Sequence, residues 1–410
     1  MGSIYLDNNA TTRTDPDVVA AMLPYFTEQF GNASSTHDFG AGVGDSVRTA
    51  RRALQKLLGA AFDHEVIYTS GGTESDNAAI LSALETQAGR SEIVTTTVEH
   101  PAILALAADL AKTRGIKVHY IAVDRDGNLD IDAYRRALGP QTAIASVMWA
   151  NNETGTIFPV ETLATLAHEA GALFHTDAVQ AAGRIPIDLK ATAIDMLSLS
   201  GHKLHGPKGI GALYVRKGTR FKPLIRGGHQ ERGRRAGTEN SPAIIGLGKA
   251  AERALTLMDE TQTRVRGLRD RLEQGVLHRI GHCVVTGGSQ NRLPNTTNIA
   301  FEYLDGEAIL LHLNRAGIAA SSGSACTAGS TEPSHVLRAM GVPASALHGA
   351  IRLSLSRDNS VAEIDRVLEV LTGIIARLRE ASPVWQDRKG PPVAEWRDPR
   401  AHDIGVPQHV

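Results

Sequence analysis

The sequence has little cysteine, no long apolar run and no excess of either charge. Only two of its 410 residues are cysteines, so a disulfide framework is excluded and a reducing compartment is expected. Lysine and arginine total 43 against 44 aspartates and glutamates, which argues against the broad basic field of many nucleic-acid-binding proteins. No apolar run could span a bilayer, and Asp7 interrupts the stretch where a signal peptide needs apolar residues. We therefore expect a cytoplasmic globular protein with no nucleic-acid or membrane partner.

The middle of the chain alternates short apolar runs with longer amphipathic stretches. This alternation predicts an α/β fold with a mainly parallel sheet covered by helices on both faces. A glycine-rich turn too short for a helix joins the last two runs, so one strand is expected to be antiparallel. The predicted strands are Glu65–Thr69, Glu92–Thr96, Val118–Val123, Ala143–Trp149, Ala172–His175, Asp195–Leu199 and Gly211–Val215, and the predicted helices include Glu74–Leu84, Ala102–Arg114 and Val160–Ala170.

The C-terminal third of the chain predicts a second, smaller α+β unit. A long charged helix at Arg264–Ile280 leads out of the first domain, and Ala362–Arg379 is predicted to be the final helix. The strands expected between them are Val284–Thr286, Thr297–Phe301, Ile318–Ala320 and Ile351–Leu355. The last stretch, Ser382–Val410, holds five prolines and two of the three tryptophans, which predicts an extended tail that docks on the body.

Polar side chains follow the predicted strands, at the edge where open α/β sheets bind ligands. Lys203 ends an apolar strand and is a Schiff-base candidate, whereas Asp177 follows an apolar stretch and needs a cation or a donor. His100 follows another strand, where a lone histidine is usually structural. The turn at Thr69–Asp76 is typical both of a phosphate cradle and of an ordinary helix cap made by Thr73. An amine, an acid, a histidine and a phosphate cradle are together the parts of a pyridoxal phosphate site.

Competing motifs are incomplete. Pro207 and Lys208 follow Gly206 where a P-loop needs Lys-Ser or Lys-Thr, and the glycines at 40, 42 and 44 lack the dinucleotide-binding spacing. His168-Glu169 has no second histidine four residues after the first, so no zincin helix is expected. Neither cysteine has a partner at the spacing of a zinc or iron–sulfur site, and no metal site is therefore expected.

The two cysteines differ in their sequence surroundings. Cys283 lies in His282–Val285 and is predicted to be an ordinary strand cysteine. Cys326 lies in the small, uncharged segment Ser321–Ser330. Taken alone, this segment favours a surface loop with an incidental cysteine; the alternative is a thiol on a flexible tether.

Eight motifs in register resemble the cysteine desulfurases of pyridoxal phosphate fold type I, in the class V aminotransferase superfamily. The resemblance runs from residue 5 to about residue 380 and is closest to the NifS branch of nitrogen fixation. Gly227–Asn240 and the long cysteine segment favour that branch, whereas Ala33 stands where the family commonly has proline. The motifs are Tyr5–Thr12, Thr73–Asn77, Val98–Pro101, Ala150–Gly155, His175–Gln180, Ser200–Lys203, Arg235–Asn240 and Ser321–Cys326.

The resemblance implies an aspartate aminotransferase-like fold of two domains. Residues 15–262 would form the large cofactor-binding domain, around a seven-stranded, mainly parallel sheet. Residues 1–14 and 263–381 would form the smaller α+β domain, with the catalytic cysteine loop at 321–335. Residues 382–410 would be a C-terminal tail.

The resemblance also implies residue roles around pyridoxal 5'-phosphate. Lys203 would form the Schiff base, Cys326 would be the nucleophile, and His100 would stack on the ring and transfer protons. Arg352 would bind the substrate carboxylate with the help of Asn32 and Asn152. The remaining cofactor contacts would be Asp177 at the pyridine nitrogen, Gln180 and Asn152 at the ring oxygen, Gly72, Thr73, Ser200 and His202 at the phosphate, and Thr238 at the phosphate of the other subunit of a homodimer.

The implied reaction removes sulfur from L-cysteine and leaves L-alanine and a persulfide on Cys326. The implied acceptor is an iron–sulfur scaffold protein, with nitrogenase maturation as the expected setting. Two alternatives remain: another fold-type-I enzyme, such as a selenocysteine lyase or an aminotransferase, and a non-catalytic sulfur carrier or assembly scaffold. Cys326 argues against an aminotransferase, and the set of Lys203, Asp177 and His100 argues against a carrier.

Overall fold

The computed structural model describes residues 3–322 and 332–388, and a seven-stranded sheet is its central feature. The described strands are β1 (Ile4–Tyr5), β2 (Val66–Thr69), β3 (Glu92–Thr96), β4 (Lys117–Ile121), β5 (Thr142–Ser146), β6 (Leu173–Asp177), β7 (Met196–Ser200), β8 (Gly211–Val215), β9 (Cys283–Thr286), β10 (Thr296–Phe301), β11 (Ile318–Ala319) and β12 (Ala350–Ser354). The large sheet has the order β2-β8-β7-β6-β5-β3-β4. Its pairings are parallel except where β8 runs antiparallel to β2 and to β7. The predicted mainly parallel sheet with one antiparallel strand is thus confirmed.

Helices cover both faces of this sheet. The described helices are α1 (Pro16–Met22), α2 (Pro24–Thr27), α3 (Asp38–Leu57), α4 (Gly72–Thr86), α5 (Pro101–Arg114), α6 (Ile131–Ala137), α7 (Val160–Glu169), α8 (Ser241–Thr256), α9 (Met258–Glu260), α10 (Arg266–Arg279), α11 (Gly306–Arg315), α12 (His335–Ala339), α13 (Ala344–Leu347), α14 (Val361–Glu380) and α15 (Pro383–Gln386). Successive strand residues face opposite sides of a sheet. Ile67 accordingly packs in one buried core with Ala79 and Ile103, and Val66 packs in another with Leu54. Strands β2, β5, β7 and β8 are buried along their whole length, whereas the edge strand β4 is partly exposed.

A second sheet, which is antiparallel and has the order β12-β10-β9, lies in the C-terminal third of the chain. Its core joins Ile4 and Leu6 from the N-terminus to Leu272, Ile299 and Leu371. The parallel pairing of β1 with β11 adds the N-terminal segment to the same region. These contacts are expected if the N-terminal segment belongs to the small domain. The boundaries of that domain, residues 1–14 and 263–381, stay a prediction.

Parts of two predicted features fall outside the described residues. Cys326 lies there, as do residues 323–331 of the predicted cysteine loop and residues 389–410 of the predicted tail. The described start of the tail forms α15, where the Trp385 ring lies 4.1 Å from the guanidinium carbon of Arg379. Within the described ranges, every helix is too short or too polar to cross a membrane.

Candidate active site

A cavity of about 320 Å³ opens where the strands of the large sheet end. Most of the predicted site residues line it: Gly72, Thr73, His100, Asn152, Asp177, Gln180, Ser200, His202, Lys203 and Arg352. They come from strands β6 and β7, from the start of α4, from β12 of the second sheet and from the turns and loops between elements, including the loop that joins β3 to α5. The carboxyl ends of parallel strands meet at one edge of a sheet, which is why residues so far apart in the sequence converge.

Lys203 follows β7 in a single turn of 3-10 helix, Gly201–Lys203. Its Nζ donates hydrogen bonds to the carbonyl oxygens of Asn9 at 2.5 Å and Ala10 at 2.6 Å. The N-terminal segment therefore holds the Lys203 side chain at the cavity in which it would form a Schiff base.

Asp177 is the last residue of β6 and is buried. Its Oδ1 accepts a hydrogen bond of 2.8 Å from the backbone N–H of Val179, which supplies the donor that its position requires. Burial raises the pKa of Asp177, and the hydrogen bond from Val179 and the charge of Lys203 oppose that rise. Because burial makes the charged form of Asp177 costly, a cationic partner in the cavity would stabilise its carboxylate.

His100 caps the N-terminus of α5. Its Nδ1 accepts a hydrogen bond of 3.1 Å from the Ala102 N–H. Because that N–H can only donate, the neutral imidazole carries its hydrogen on Nε2. Burial lowers the pKa of His100; the negative charge of Asp177 opposes this lowering and the charge of Lys203 adds to it, so the net shift favours the neutral ring.

The turn that precedes α4 has the shape of an anion cradle, although Thr73 does not cap the helix as predicted. The N-cap is Gly71, with φ of 156°, and the helix begins at Gly72. A Cβ added to Gly72 would lie 2.8 Å from Cγ2 of Val179, so a side chain here would crowd the cavity wall. Gly72, Thr73 and Ser200 all line the cavity, so first-turn backbone N–H groups and two hydroxyls are available there to bind a phosphate.

Arg352 is 1% exposed and reaches the cavity from β12. Its guanidinium donates to Asp7 Oδ1 at 2.8 Å and to the Asn152 carbonyl oxygen at 3.1 Å. The two contacts fix the plane of the guanidinium, which is the group best suited to bind a carboxylate in two places.

Two predicted residues do not line the cavity of this single chain. Asn32 is exposed, and its Oδ1 accepts from the Ser34 N–H at 2.9 Å. Thr238 is also exposed. Its loop is tied to α4 by an ion pair of 3.0 Å between Arg235 Nε and Glu74 Oε1. Exposure is the expected state of Thr238 if it serves a second subunit, whereas the structure of one chain gives Asn32 no contact with the site.

The described ends of the cysteine segment are bonded to the walls of the site. On one side, the Ser321 N–H donates to the Arg352 carbonyl oxygen at 3.2 Å. On the other, the Ser334 hydroxyl donates to Glu153 at 2.6 Å, and Glu153 directly follows Asn152. The second cysteine, Cys283, is buried in β9 with its Sγ 3.0 Å from the Ile280 carbonyl oxygen, and burial raises its pKa to about 11. Its prediction as a strand cysteine is confirmed.

Sequence reasoning assigned no role to several residues that the structure brings to the site. Asn9 and Ala10 supply the carbonyl oxygens that hold Lys203, although their motif was recognised. Asp76 is buried, lines the cavity and lies with Oδ1 3.6 Å from His175 Nε2. Burial, reinforced by the negative charge of Asp177, raises the pKa of Asp76 well above its ordinary value. The sequence does carry a signal for Asp76. It is a carboxyl group near the start of the predicted helix Glu74–Leu84, and burial of such a group is costly.

Comparison with known proteins gives a consistent result. The model of the aminotransferase class-V family matches residues 4–367. A cysteine desulfurase of Gluconacetobacter diazotrophicus is 74% identical over 94% of this chain and 96% of its own length, and the cysteine desulfurase NifS of Azotobacter vinelandii is 61% identical with the same coverage. A solved structure described as a NifS-like protein superposes with a TM-score of 0.86 at 36% identity, over 92% of this chain and all of its own.

These likenesses extend across both sheets and across every described wall of the cavity. The family is one whose members generally depend on pyridoxal phosphate, and the cavity joins the lysine, acid and phosphate cradle that such a cofactor needs. The chain belongs to the class-V aminotransferase family and, within it, to the cysteine desulfurases.

Proposed function

We propose that the protein binds pyridoxal 5'-phosphate and transfers the sulfur of L-cysteine to Cys326, releasing L-alanine. The observation that carries this proposal is the convergence of Lys203, Asp177 and His100 on one cavity in a cysteine desulfurase chain. The transfer balances without an external oxidant or reductant. The carbon–sulfur bond of the substrate breaks and a sulfur–sulfur bond forms on Cys326. One proton leaves the Cys326 thiol, and one proton is added to the substrate carbon that loses sulfur.

The side chains of the cavity would divide the cofactor between them. Lys203 would hold it covalently, Asp177 would keep its ring nitrogen protonated, and Gln180 and Asn152 would bind its ring oxygen. The phosphate would lie between Gly72, Thr73, Ser200 and His202, with Thr238 supplied by the other subunit of a homodimer. When bound, the cofactor supplies an electron sink next to the substrate Cα.

Arg352 would bind the carboxylate of L-cysteine with its guanidinium held by Asp7 and Asn152. Asn32 would contact the substrate only in the homodimer, where the second subunit would complete the site. His100, with its hydrogen on Nε2, is suited to deliver a proton to the substrate as the carbon–sulfur bond breaks. The bonds of Ser321 and Ser334 would keep both ends of the segment that carries Cys326 at the mouth of the site.

The persulfide on Cys326 would pass to an iron–sulfur scaffold protein in the cytoplasm, in support of nitrogenase maturation. The identity of 61% to NifS of Azotobacter vinelandii supports this setting over a housekeeping role. A selenocysteine lyase remains the alternative, and the cysteine-bearing segment argues for transfer to the protein rather than simple elimination.

The proposal is tested by incubating the purified protein with L-cysteine in the absence of reductant. Alanine should form in an amount matching the enzyme, and mass spectrometry should find one additional sulfur on the peptide that contains Cys326. Cys326→Ala should form neither product while it retains bound cofactor, and Cys283→Ala is the matched control that should behave as the wild type. Alanine and sulfide released at an undiminished rate by Cys326→Ala would contradict the persulfide route.

A further inference from the structure

Arg184 is a buried cation next to the cavity. It lies in the turn that follows β6 and is 7% exposed. Its guanidinium donates to the carbonyl oxygens of Gln180 at 3.2 Å and Asn8 at 3.3 Å, and also to the side-chain oxygen Oε1 of Gln180. No carboxylate forms an ion pair with it in residues 3–322 or 332–388, so its contacts there are neutral oxygens. Burial, reinforced by the charge of Arg352, lowers the pKa of Arg184 to about 9.

These contacts determine which way the Gln180 amide points. The guanidinium can only donate, so the amide atom facing Arg184 must be the oxygen. The Asn9 carbonyl can only accept, so the atom 3.1 Å from it must be Nε2. The two neighbours give the same assignment, and the reversed amide would place two donors together and two acceptors together.

The orientation matters because Gln180 lines the cavity beside Lys203. An amide nitrogen has two N–H bonds, and the Asn9 carbonyl uses one of them. We propose that Arg184 is a positioning residue for the cofactor: it holds the Gln180 amide so that the group offered to the cofactor ring oxygen is a donor and never an acceptor. This inference rests on the proposed function, because it needs pyridoxal phosphate in the cavity.

The consequence is electrostatic and measurable. A donor to the negatively charged ring oxygen stabilises that charge and weakens its hold on the proton of the neighbouring Schiff-base nitrogen. With the amide free to rotate, the ring oxygen loses this donor for part of the time. The Schiff-base nitrogen then keeps its proton to a higher pH, and its pKa rises.

Loss of the arginine charge alone would also raise that pKa, so the two causes must be separated. A Gln180→Leu background does this, because it contains no amide to orient. There, a charge effect of Arg184 persists and a positioning effect disappears. Arg184→Lys separates them a second way, since it keeps the positive charge and loses the planar group that holds both oxygens.

The experiment is a pH titration of the visible absorbance of the holoenzyme, with Arg184→Met, Gln180→Leu and the double variant. Arg184→Met should raise the Schiff-base pKa by about half to one pH unit, the worth of one ordinary hydrogen bond. In the Gln180→Leu background, Arg184→Met should raise the Schiff-base pKa by clearly less than it does in the wild type, because only the effect of the charge remains. Arg184→Lys should shift in the same direction, and it provides the test if the methionine variant does not fold.

Arg269→Met is the matched control. Arg269 is 4% exposed, does not line the cavity, and donates to Asp270 and to two backbone carbonyl oxygens, those of Leu293 and Thr296. It should leave the titration unchanged. An unchanged titration in Arg184→Met, or additive shifts in the double variant, would overturn the positioning role while leaving the proposed function standing. A wild-type protein without a visible cofactor band would instead overturn the proposed function.

Discussion

Arg352 and Asp7 form a partly buried ion pair of 2.8 Å although they are 345 residues apart in the chain. The pair joins β12 to the segment that follows β1, at the edge of the cavity. Asp7 accepts from one guanidinium nitrogen, and the Asn152 carbonyl accepts from the other. The cationic group is therefore oriented before any substrate arrives, and little ordering remains to be done on binding.

We expect Arg352→Lys to lower kcat/KM for L-cysteine by about 10-fold to 100-fold, mainly through KM. A lysine keeps the charge but has no planar pair of donors for the carboxylate, and charge-assisted bonds of this kind are worth about 1.5–3 kcal/mol. Steady-state kinetics measure the effect. Arg271→Lys, at an exposed ion pair with Asp365, is the control and should leave KM unchanged. A normal KM in Arg352→Lys would mean that another group binds the substrate carboxylate.

We expect borohydride to fix the cofactor onto Lys203, because its Nζ is the amine that enters the cavity among the described residues. The purified protein should be yellow, and the reduced adduct should map to the peptide containing Lys203. Lys203→Ala should lose turnover, whereas Lys208→Ala should not, since Lys208 is exposed. A label recovered on any other lysine would show that the site has been assigned wrongly.

The strand ends were predictable because the identities of their residues are informative. Asp177 and Lys203 are charged groups next to buried strands, and charge in such a place is costly enough to mark a site. The sheet then brings them together by a general rule of α/β folds. Reasoning from the residues therefore predicts Lys203, Asp177 and the turn before α4, whereas Arg352 and Gln180 were assigned by resemblance.

The contacts made through backbone carbonyls were not predictable in the same way. Every residue has a carbonyl, so nothing in the letters of Asn8, Asn9 or Ala10 says that Arg184 or Lys203 will bond to them. The predicted start of α4 at Glu74 was two residues late. The N-cap is Gly71 rather than Thr73, and the helix begins at Gly72. Asn32 was placed by resemblance alone, and its own sequence surroundings carried no physical argument for the site.

We expect Thr238→Ala to weaken cofactor binding by about 10-fold to 100-fold, the worth of one hydrogen bond to a charged phosphate. Thr238 is exposed in one chain, so the variant should fold as the wild type does. Dialysis followed by absorbance measures retained cofactor, and sedimentation at micromolar concentration should show a dimer. Thr113→Ala, at another exposed threonine, is the control. A monomer with full activity would exclude a shared site.

His175 is wholly buried between the hydroxyls of Ser146 and Ser198, each at 2.9 Å. Burial lowers its pKa to about 3, whereas an unfolded chain has a histidine pKa near about 6.5. Burial and the charge of Asp177 raise the pKa of the neighbouring Asp76 carboxyl well above its ordinary value, so that group favours a proton on the ring less than an ordinary carboxylate would. Below the unfolded pKa, the unfolded chain therefore binds a proton that the folded chain refuses. The stability associated with neutral His175 is complete above about pH 6.5 and is lost as the pH falls towards about 3, at about 1.4 kcal/mol for each pH unit.

His175→Gln should remove this part of the acid sensitivity. Glutamine keeps a donor and an acceptor but does not titrate, so the variant should be less stable at pH 7.5 through imperfect packing and yet lose less stability on acidification. Between pH 7.5 and pH 5, urea unfolding should show the wild type losing about 2 kcal/mol more than the variant. His229→Gln, at an exposed histidine, should follow the wild type. Equal losses in His175→Gln and the wild type would mean that His175 is not held neutral by its burial.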